Sequence, residues 1–150
     1  MTLETGDDAP EVEATNQRGE TVSVSFEAPT VLYFYPRDDT PGCTVEAKQF
    51  DEEMTSYRDA GVAVYGVSTD DVESHEAFAD KYDLDFDLLA DPNGEIADAF
   101  GVDLDGNAAP RTTFVLDEGE VKATYRGVDP DGHAREVLQD MLDENLATLN

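Results

Sequence analysis

The chain has 150 residues with an apolar content of 39%, which suits one domain, residues 1–150, with a sizeable hydrophobic core. Its 36 Asp and Glu residues against nine Lys and Arg leave a net charge of −27, which argues against nucleic acid as a partner because phosphates are repelled. The sequence shows neither an apolar run of about 18 residues nor a signal peptide, so we expect a cytoplasmic protein that does not enter membranes.

The first predicted elements are strands. The segment up to Val24 has the pattern of a short hairpin around a polar turn at residues 16–20. The runs 22–26 and 30–35 are β-branched and aromatic, and the second is nearly continuous, as in a strand buried on both faces. We therefore expect an interior strand that ends near Tyr35.

A turn and then a helix are predicted after this strand. Pro36 removes a backbone hydrogen-bond donor, and residues 37–42 have the composition of a turn. From Thr44 onward apolar side chains recur at helical spacing, which predicts a helix that extends to about Arg58. Cys43 is therefore expected in the first turn of a helix.

The second half of the chain alternates strands with helices. A strand at 62–68 would complete a βαβ unit with the strand at 30–35. The later predictions are a helix at 70–82 with Val72, Phe78, Ala79 and Tyr82 inward, a strand at 86–89, a helix at 94–100, a hairpin of 112–116 and 121–126, and a last helix from about Gly132 to Leu146. This order predicts an α/β protein with a thioredoxin-like fold, a central mixed β-sheet flanked by helices.

Cys43 is the single cysteine of the chain and the first candidate for chemistry. At a helix start, unpaired backbone N–H groups and the positive end of the helix dipole favour a thiolate over a thiol. A lone cysteine is most often an inert core residue. This one follows Pro41-Gly42 and precedes Thr44, outside any apolar stripe, and that setting favours a functional role.

The spacing Pro-x-x-x-Thr-x-x-Cys gathers possible partners for the thiol. Pro36 fixes the exit from the strand, and Thr40 offers a hydroxyl that can both donate and accept a hydrogen bond. Backbone amides near Gly42 and Cys43 can face an anionic oxygen. The motif therefore predicts a pocket around the sulfur.

One motif and several shorter segments carry a resemblance to a known family. The motif lies in YFYPRDDTPGCTVEA, residues 33–47, and is followed far downstream by Arg111 before Thr112-Thr113-Phe114. Further matching segments are residues 6–10, 64–68, 86–91, 97–102 and 111–116. On these residues the chain resembles the peroxiredoxins, specifically the peroxiredoxin Q or bacterioferritin-comigratory branch.

The resemblance implies a role for each residue of the motif. Cys43 would be the peroxidatic cysteine, Thr40 and Pro36 would shape its pocket, and Arg111 would be its cationic partner. The chemistry agrees, because a thiolate that attacks a peroxide leaves negative charge on the departing oxygen. A permanently charged guanidinium can serve both the sulfur and the peroxide.

Three charged residues near the motif have alternative interpretations. Most arginines form surface salt bridges, but Arg111 comes directly before the predicted strand at 112–116, where a side chain can face the site. Glu46, one turn into the helix, either orients Arg111 or complements the helix N-terminus. Arg37 is predicted to be a solvated loop residue.

Lys48 departs from the pattern of the resembling branch. Many of its members carry a second, resolving cysteine five residues after the peroxidatic one, and here that position is Lys48. A sulfenic acid on Cys43 then has no internal thiol and must be reduced by an outside thiol. We expect a one-cysteine cycle with a tendency to overoxidise; a disulfide between two Cys43 residues of different molecules is disfavoured for a sulfur in a pocket.

Other candidate sites carry little weight. Residues 103–107 are similar to a calcium loop, but the glycine is misplaced and a turn is expected. His75 and His133 are predicted to be exposed, and no cluster has zinc-ligand spacing. The acidic pairs 38–39 and 70–71 are expected to be solvated. We predict no metal site and no cofactor.

The acidic residues are dispersed over predicted helices and loops. Dispersed acid on an ordinary core favours a protein of a salt-rich cytoplasm, since at about 1 M salt the Debye length is about 3 Å and most self-repulsion is screened. A single cysteine agrees with a reducing compartment.

The sequence thus predicts a peroxidase that reduces hydrogen peroxide or small organic hydroperoxides with an external thiol, either a thioredoxin-like protein or a small molecule. A thioredoxin-like disulfide carrier is disfavoured because Cys-x-x-Cys is absent. A non-enzymatic acidic binding module on a thioredoxin fold would leave Cys43 dispensable. We expect no nucleic-acid or membrane partner, and a monomer or weak homodimer.

Overall fold

A computed structural model describes residues 2–144, and between those residues the chain forms seven strands and five helices. The strands are β1 (Val12–Asn16), β2 (Thr21–Val24), β3 (Thr30–Phe34), β4 (Ala63–Ser68), β5 (Asp87–Ala90), β6 (Thr112–Asp117) and β7 (Glu120–Arg126). The helices are α1 (Pro41–Glu52), α2 (Met54–Asp59), α3 (Val72–Tyr82), α4 (Glu95–Ala99) and α5 (His133–Asp143).

The strands form one mixed sheet in the order β2-β1-β5-β4-β3-β6-β7. β3, β4 and β5 are parallel, and every other neighbouring pair is antiparallel. The two predicted hairpins are present as β1–β2 and β6–β7, and the predicted βαβ unit runs from β3 to β4. The predicted mixed sheet flanked by helices is therefore confirmed.

β3 is buried along its whole length, as its nearly continuous apolar run predicted. Val31 and Tyr33 face a hydrophobic cluster that also contains side chains of α1, α2, α3 and α5. Leu32 and Phe34 face a second cluster that contains side chains of α4. The alternation of side chains along a strand thus supplies both cores from one segment.

The predicted single helix from Thr44 to about Arg58 is two helices. The N–H of Glu53 is shared between the carbonyls of Gln49 (3.1 Å) and Phe50 (3.2 Å), the tightened geometry in which helices commonly end. α2 then starts at Met54. Two short helices therefore replace the continuous one.

The remaining boundaries differ from the predictions by a few residues. α3 starts after Asp71, whose carboxylate caps the helix by accepting from the N–H of Ser74 (2.8 Å). α5 starts after Gly132, and its predicted end at Leu146 lies outside the described residues. The turn expected within residues 103–107 begins at Asp105 and is closed by a bridge between Asp105 and Ala108. Along residues 2–144 no helix has both the length and the apolar character to cross a bilayer.

Candidate active site

The start of α1 lies where β3 has left the sheet and the chain has turned. Pro41 occupies the first helical position, which suits its fixed φ and its lack of an N–H. Thr40 precedes the helix, and its carbonyl accepts from the N–H of Thr44 (2.8 Å). Cys43 is third in the helix, so its predicted place in the first turn is confirmed. The N–H groups of Gly42 and Cys43 precede the first intrahelical bond and point out of the helix start.

Arg111 extends from the start of β6 to the sulfur of Cys43. Its Nη2 donates to Sγ at 3.4 Å, and its Nη1 donates to Oε1 of Glu46 at 3.1 Å. Cys43 and the Glu46 side chain are each 1% exposed, and the Arg111 side chain is 18% exposed. Arg111 is therefore not a surface salt bridge, and this contact favours the interpretation in which Glu46 orients it.

Gly42 leaves the space that the guanidinium occupies. A Cβ at this position would lie 2.5 Å from Nη2 and 3.3 Å from Cζ of Arg111. Any side chain here would push the guanidinium away from Cys43. The sequence drew attention to the amide of Gly42, but the need for a bare Cα depends on a residue far along the chain.

The buried carboxyl of Glu46 has a raised pKa. Burial raises the pKa of Glu46 from 4.5 to about 7, against the opposing effects of the charge of Arg111 and the hydrogen bond it donates. Oε2 has no hydrogen-bond partner among residues 2–144. Near neutral pH both forms of the carboxyl are present, and in the protonated form the charge of Arg111 acts on Cys43 alone.

The buried side chain of Tyr33 lies near Cys43, Glu46 and Arg111. Its ring stacks on Phe50 with centroids 4.5 Å apart. Burial, together with the nearby groups of Glu46 and Cys43, raises the pKa of Tyr33 well above its ordinary value. The phenol therefore stays neutral, and its hydroxyl has no hydrogen-bond partner within the described part of the chain.

Thr40 and Pro36 lie in the loop between β3 and α1, and both are half-buried. The hydroxyl of Thr40 donates to the carbonyl of Arg37 (3.0 Å), which leaves its oxygen lone pairs free to accept a hydrogen bond. Within residues 2–144 neither Thr40 nor Pro36 is hydrogen bonded to Cys43. Arg37 is exposed, as predicted.

The prediction that both histidines are exposed is wrong. His75 is 0% exposed, with Nδ1 2.6 Å from Oδ2 of Asp38 and Nε2 3.1 Å from the carbonyl of Leu89. His133 is 3% exposed and lies 2.8 Å from the hydroxyl of Thr113. Polar side chains are buried readily when their polar atoms have partners, and these rings have them.

The prediction that residues 38–39 and 70–71 are solvated is wrong for Asp38, whose side chain is 3% exposed. Its carboxylate accepts from the hydroxyls of Tyr35 (2.6 Å) and Ser74 (2.8 Å), in addition to its contact with His75. Asp39 and Asp71 are exposed, and Asp70 is half-buried.

Asp38, Asp70 and His75 have ligand atoms within 4.8 Å of one another, the single such group among residues 2–144. The carboxylate oxygens of Asp38 and Asp70 already accept hydrogen bonds from protein donors. Oδ2 of Asp70 accepts from the backbone N–H of Asp38 (2.7 Å) and the hydroxyl of Ser68 (2.7 Å). The group therefore has the character of a hydrogen-bond network.

Over residues 5–124 the chain matches the AhpC/TSA family. It belongs to that family. Peroxiredoxin Bcp of Bacillus subtilis is 39% identical over 153 aligned positions, which cover 95% of this chain and 98% of the relative. The chloroplastic peroxiredoxin Q of Triticum aestivum is 44% identical over 136 positions, covering 87% of this chain and 63% of the longer plant protein.

Among solved structures, the bacterioferritin comigratory protein of Xanthomonas campestris superposes with a TM-score of 0.87. It is 30% identical, and the match covers 94% of this chain and 99% of that one. The predicted peroxiredoxin Q branch and the thioredoxin-like fold class are confirmed. The peroxidase interpretation is accordingly favoured over the disulfide carrier and the binding module.

Proposed function

We propose that this peroxiredoxin, a thiol-dependent peroxidase, reduces hydrogen peroxide and small organic hydroperoxides through a sulfenic acid on Cys43. Thr40, Pro36 and Arg111 complete the proposed site, within a single domain of residues 1–150. The observation that carries the assignment is the 3.4 Å contact between Nη2 of Arg111 and Sγ of Cys43 in the first turn of α1. The Xanthomonas relative, studied for alkyl peroxide reduction, supports organic hydroperoxides as substrates.

In the oxidative step the Cys43 thiolate attacks the terminal oxygen of the peroxide. An S–O bond forms, the O–O bond breaks, and the electron pair leaves with the second oxygen, which takes up a proton to become water or an alcohol. Sulfur is oxidised to a sulfenic acid while the peroxide is reduced by the same two electrons. Charge moves from the sulfur to the departing oxygen.

Each proposed site residue has a task in this step. Arg111 stabilises the thiolate and then the charge on the departing oxygen, together with the amides at the helix start. Thr40 already donates to the carbonyl of Arg37, so its oxygen accepts a hydrogen bond from the peroxide O–H. Pro36 shapes the wall of the loop.

In the reductive step an external thiol attacks the sulfenic sulfur. Water leaves and a mixed disulfide forms, and a second thiol then releases Cys43 with formation of the reductant's disulfide. The single cysteine supports this one-cysteine cycle. We assign the reductant to a thioredoxin-like protein or a small thiol, in a cytoplasmic enzyme that is a monomer or weak homodimer and has no nucleic-acid or membrane partner.

The first test is peroxide consumption with dithiothreitol as reductant, for the wild type and Cys43→Ser. The expected result is loss of activity in a folded variant. Activity that is unaffected by the substitution rejects the proposed function.

A second test concerns Arg111. We expect Arg111→Ala and Gly42→Ala to fold and to lose about 100- to 1,000-fold in kcat/KM, because both take the guanidinium away from the sulfur. The matched control is Arg135→Ala, whose side chain is 82% exposed on α5. If both site variants stay within about twofold of that control, Arg111 has no place in the mechanism.

A further inference from the structure

The loop of residues 36–40 carries two of the proposed site residues, Pro36 and Thr40. Asp38 lies between them and points away from solvent into the protein. Its backbone N–H donates to the carboxylate of Asp70 (2.7 Å). The middle of the loop is therefore tied to the segment that follows β4.

The side chain of Asp38 is held by three hydrogen-bond partners. The hydroxyl of Tyr35 donates to Oδ1 at 2.6 Å, and the hydroxyl of Ser74 donates to Oδ2 at 2.8 Å. Nδ1 of His75 lies 2.6 Å from the same Oδ2. Ser74 and His75 belong to α3, so this helix anchors the loop from outside.

His75 connects the loop to the sheet. Nε2 faces the carbonyl of Leu89 in β5 at 3.1 Å, and Nδ1 faces the carboxylate of Asp38. The two ring nitrogens of His75 thus face one partner in the loop and one in β5. Replacing either member of the buried pair Asp38 and His75 removes a hydrogen bond between the loop and α3, and a lost buried hydrogen bond is costly.

α3 also holds the next residue of the loop. Asp39 has a φ of 56°, in the left-handed region that few residues other than glycine, asparagine and aspartate adopt. Its carboxylate accepts from Lys81 (2.9 Å) and from the hydroxyl of Tyr82 (2.9 Å), both on α3. The shape of the loop is thus set by contacts with α3 at two successive residues.

From these contacts we infer that Asp38 and His75 are a positioning pair that fixes the 36–40 loop so that Thr40 meets the peroxide. The inference rests on the proposed function. Neither side chain touches the reacting atoms; they act through the backbone that leads to Thr40. Displacement of a positioned group by about 1 Å can slow a reaction about 100-fold. The pair therefore controls the oxidative step and leaves the reductive step unchanged.

The experiment separates the two half-reactions by rapid mixing, with Asp38→Asn and His75→Gln. We expect oxidation of Cys43 by hydrogen peroxide to slow about 10- to 100-fold. The reduction of pre-formed sulfenic acid by dithiothreitol should remain within about twofold of wild type, because an external thiol does not use Thr40. The ultraviolet absorbance of the Cys43 thiolate should also be unchanged, since its cationic partner Arg111 comes from β6.

Two milder substitutions at Ser74 test the same inference if Asp38→Asn and His75→Gln do not fold. Ser74→Ala removes one donor to Asp38, whereas Ser74→Thr retains the hydroxyl. We expect the alanine variant to slow oxidation and the threonine variant to restore it. His133→Gln is the matched control, because it alters a buried histidine of α5 whose ring bonds to Thr113 of β6; its oxidation rate should stay near that of wild type.

Oxidation within about twofold of wild type in folded Asp38→Asn, or in Ser74→Ala, overturns the inference. An equal slowing of both half-reactions also overturns it, since that is the signature of general damage to the fold. The proposed function fails through a different result, peroxide consumption that persists in Cys43→Ser.

Discussion

At the residue scale, Glu46 links the site to stability. The folded protein keeps the proton of this carboxyl up to about pH 7, whereas the ordinary pKa is 4.5. Between these values the folded state binds more protons than the unfolded state, so the free energy of unfolding falls as pH rises. The shift corresponds to a loss of about 3 kcal/mol, absent below pH 4.5 and complete above about pH 7.

Glu46→Gln should remove that loss. The amide cannot ionise, yet its carbonyl oxygen can still accept from Arg111. We expect the variant to be more stable than wild type by up to about 3 kcal/mol at about pH 8 and equal to it near pH 4. Denaturant unfolding across this pH range at constant salt measures the difference, with Glu52→Gln, exposed on the same helix, as control. Parallel pH profiles for wild type and Glu46→Gln would contradict the prediction.

The residues of the site differ in how far the sequence alone could place them. Cys43, Thr40 and Pro36 lie in one short motif, so their proximity follows from local geometry. Arg111 is far along the chain and was found through a second local pattern before β6. The contact between Asp38 and His75 depends on how α3 packs against the loop of residues 36–40, and local sequence spacing does not predict that packing.

At the scale of elements, the sequence of α3 contains an indication that His75 is buried, which the prediction of an exposed histidine did not use. The apolar spacing predicted the helix and an inward face that includes Phe78 and Ala79, and both are buried. His75 lies three residues before Phe78 and therefore on the same face. Its polarity suggested exposure, but hydrogen bonds to a carboxylate and a carbonyl allow a histidine to be buried.

The sequence of α1 determines how a sulfenic acid on Cys43 can be reduced. Cys43 is buried at its start, and Lys48 is exposed on another face of the same helix. With an internal thiol absent, the sulfenic acid persists until an external thiol arrives. A second peroxide can then convert it to the sulfinic acid.

We therefore expect excess hydrogen peroxide to produce a sulfinic form of Cys43, detectable by mass spectrometry of the intact protein. Lys48→Cys should lower the sulfinic fraction by supplying an internal thiol, once the first turns of α1 unwind enough for a disulfide to form. Lys122→Cys, in β7 near the turn away from Arg111, is the control and should not protect. Wild-type protein that resists excess peroxide without a sulfinic form would refute the prediction.

At the scale of the whole molecule, the sheet was predictable because the nearly continuous apolar sequence of β3 is compatible with few positions other than the interior of a sheet. A nearly continuous apolar strand requires cover on both faces, and the helices at 41–59, 72–82 and 133–143 and the short helix α4 provide it. The break at Glu53 was not predictable, since residues 50, 54 and 57 keep helical spacing across it. Helix termini depend on hydrogen-bond details that apolar periodicity does not record.

We expect the net charge of −27 to make the stability of the folded protein depend on salt. A folded chain of this length has a radius of gyration of about 15 Å. The Debye length is about 30 Å at 0.01 M salt, so that carboxylates across the whole molecule repel one another, and about 3 Å at 1 M, where only contact pairs interact. Unfolding separates the charges, so weak screening favours the unfolded state.

Thermal unfolding should therefore have a lower midpoint in millimolar KCl than in molar KCl. The control variant Glu11→Lys/Glu52→Lys, at two exposed positions, lowers the negative charge and should reduce the salt dependence. A midpoint that stays constant from millimolar to molar KCl would show that the dispersed carboxylates do not oppose folding. A charge-reduced variant with the same salt dependence as wild type would show that their repulsion is not what KCl relieves.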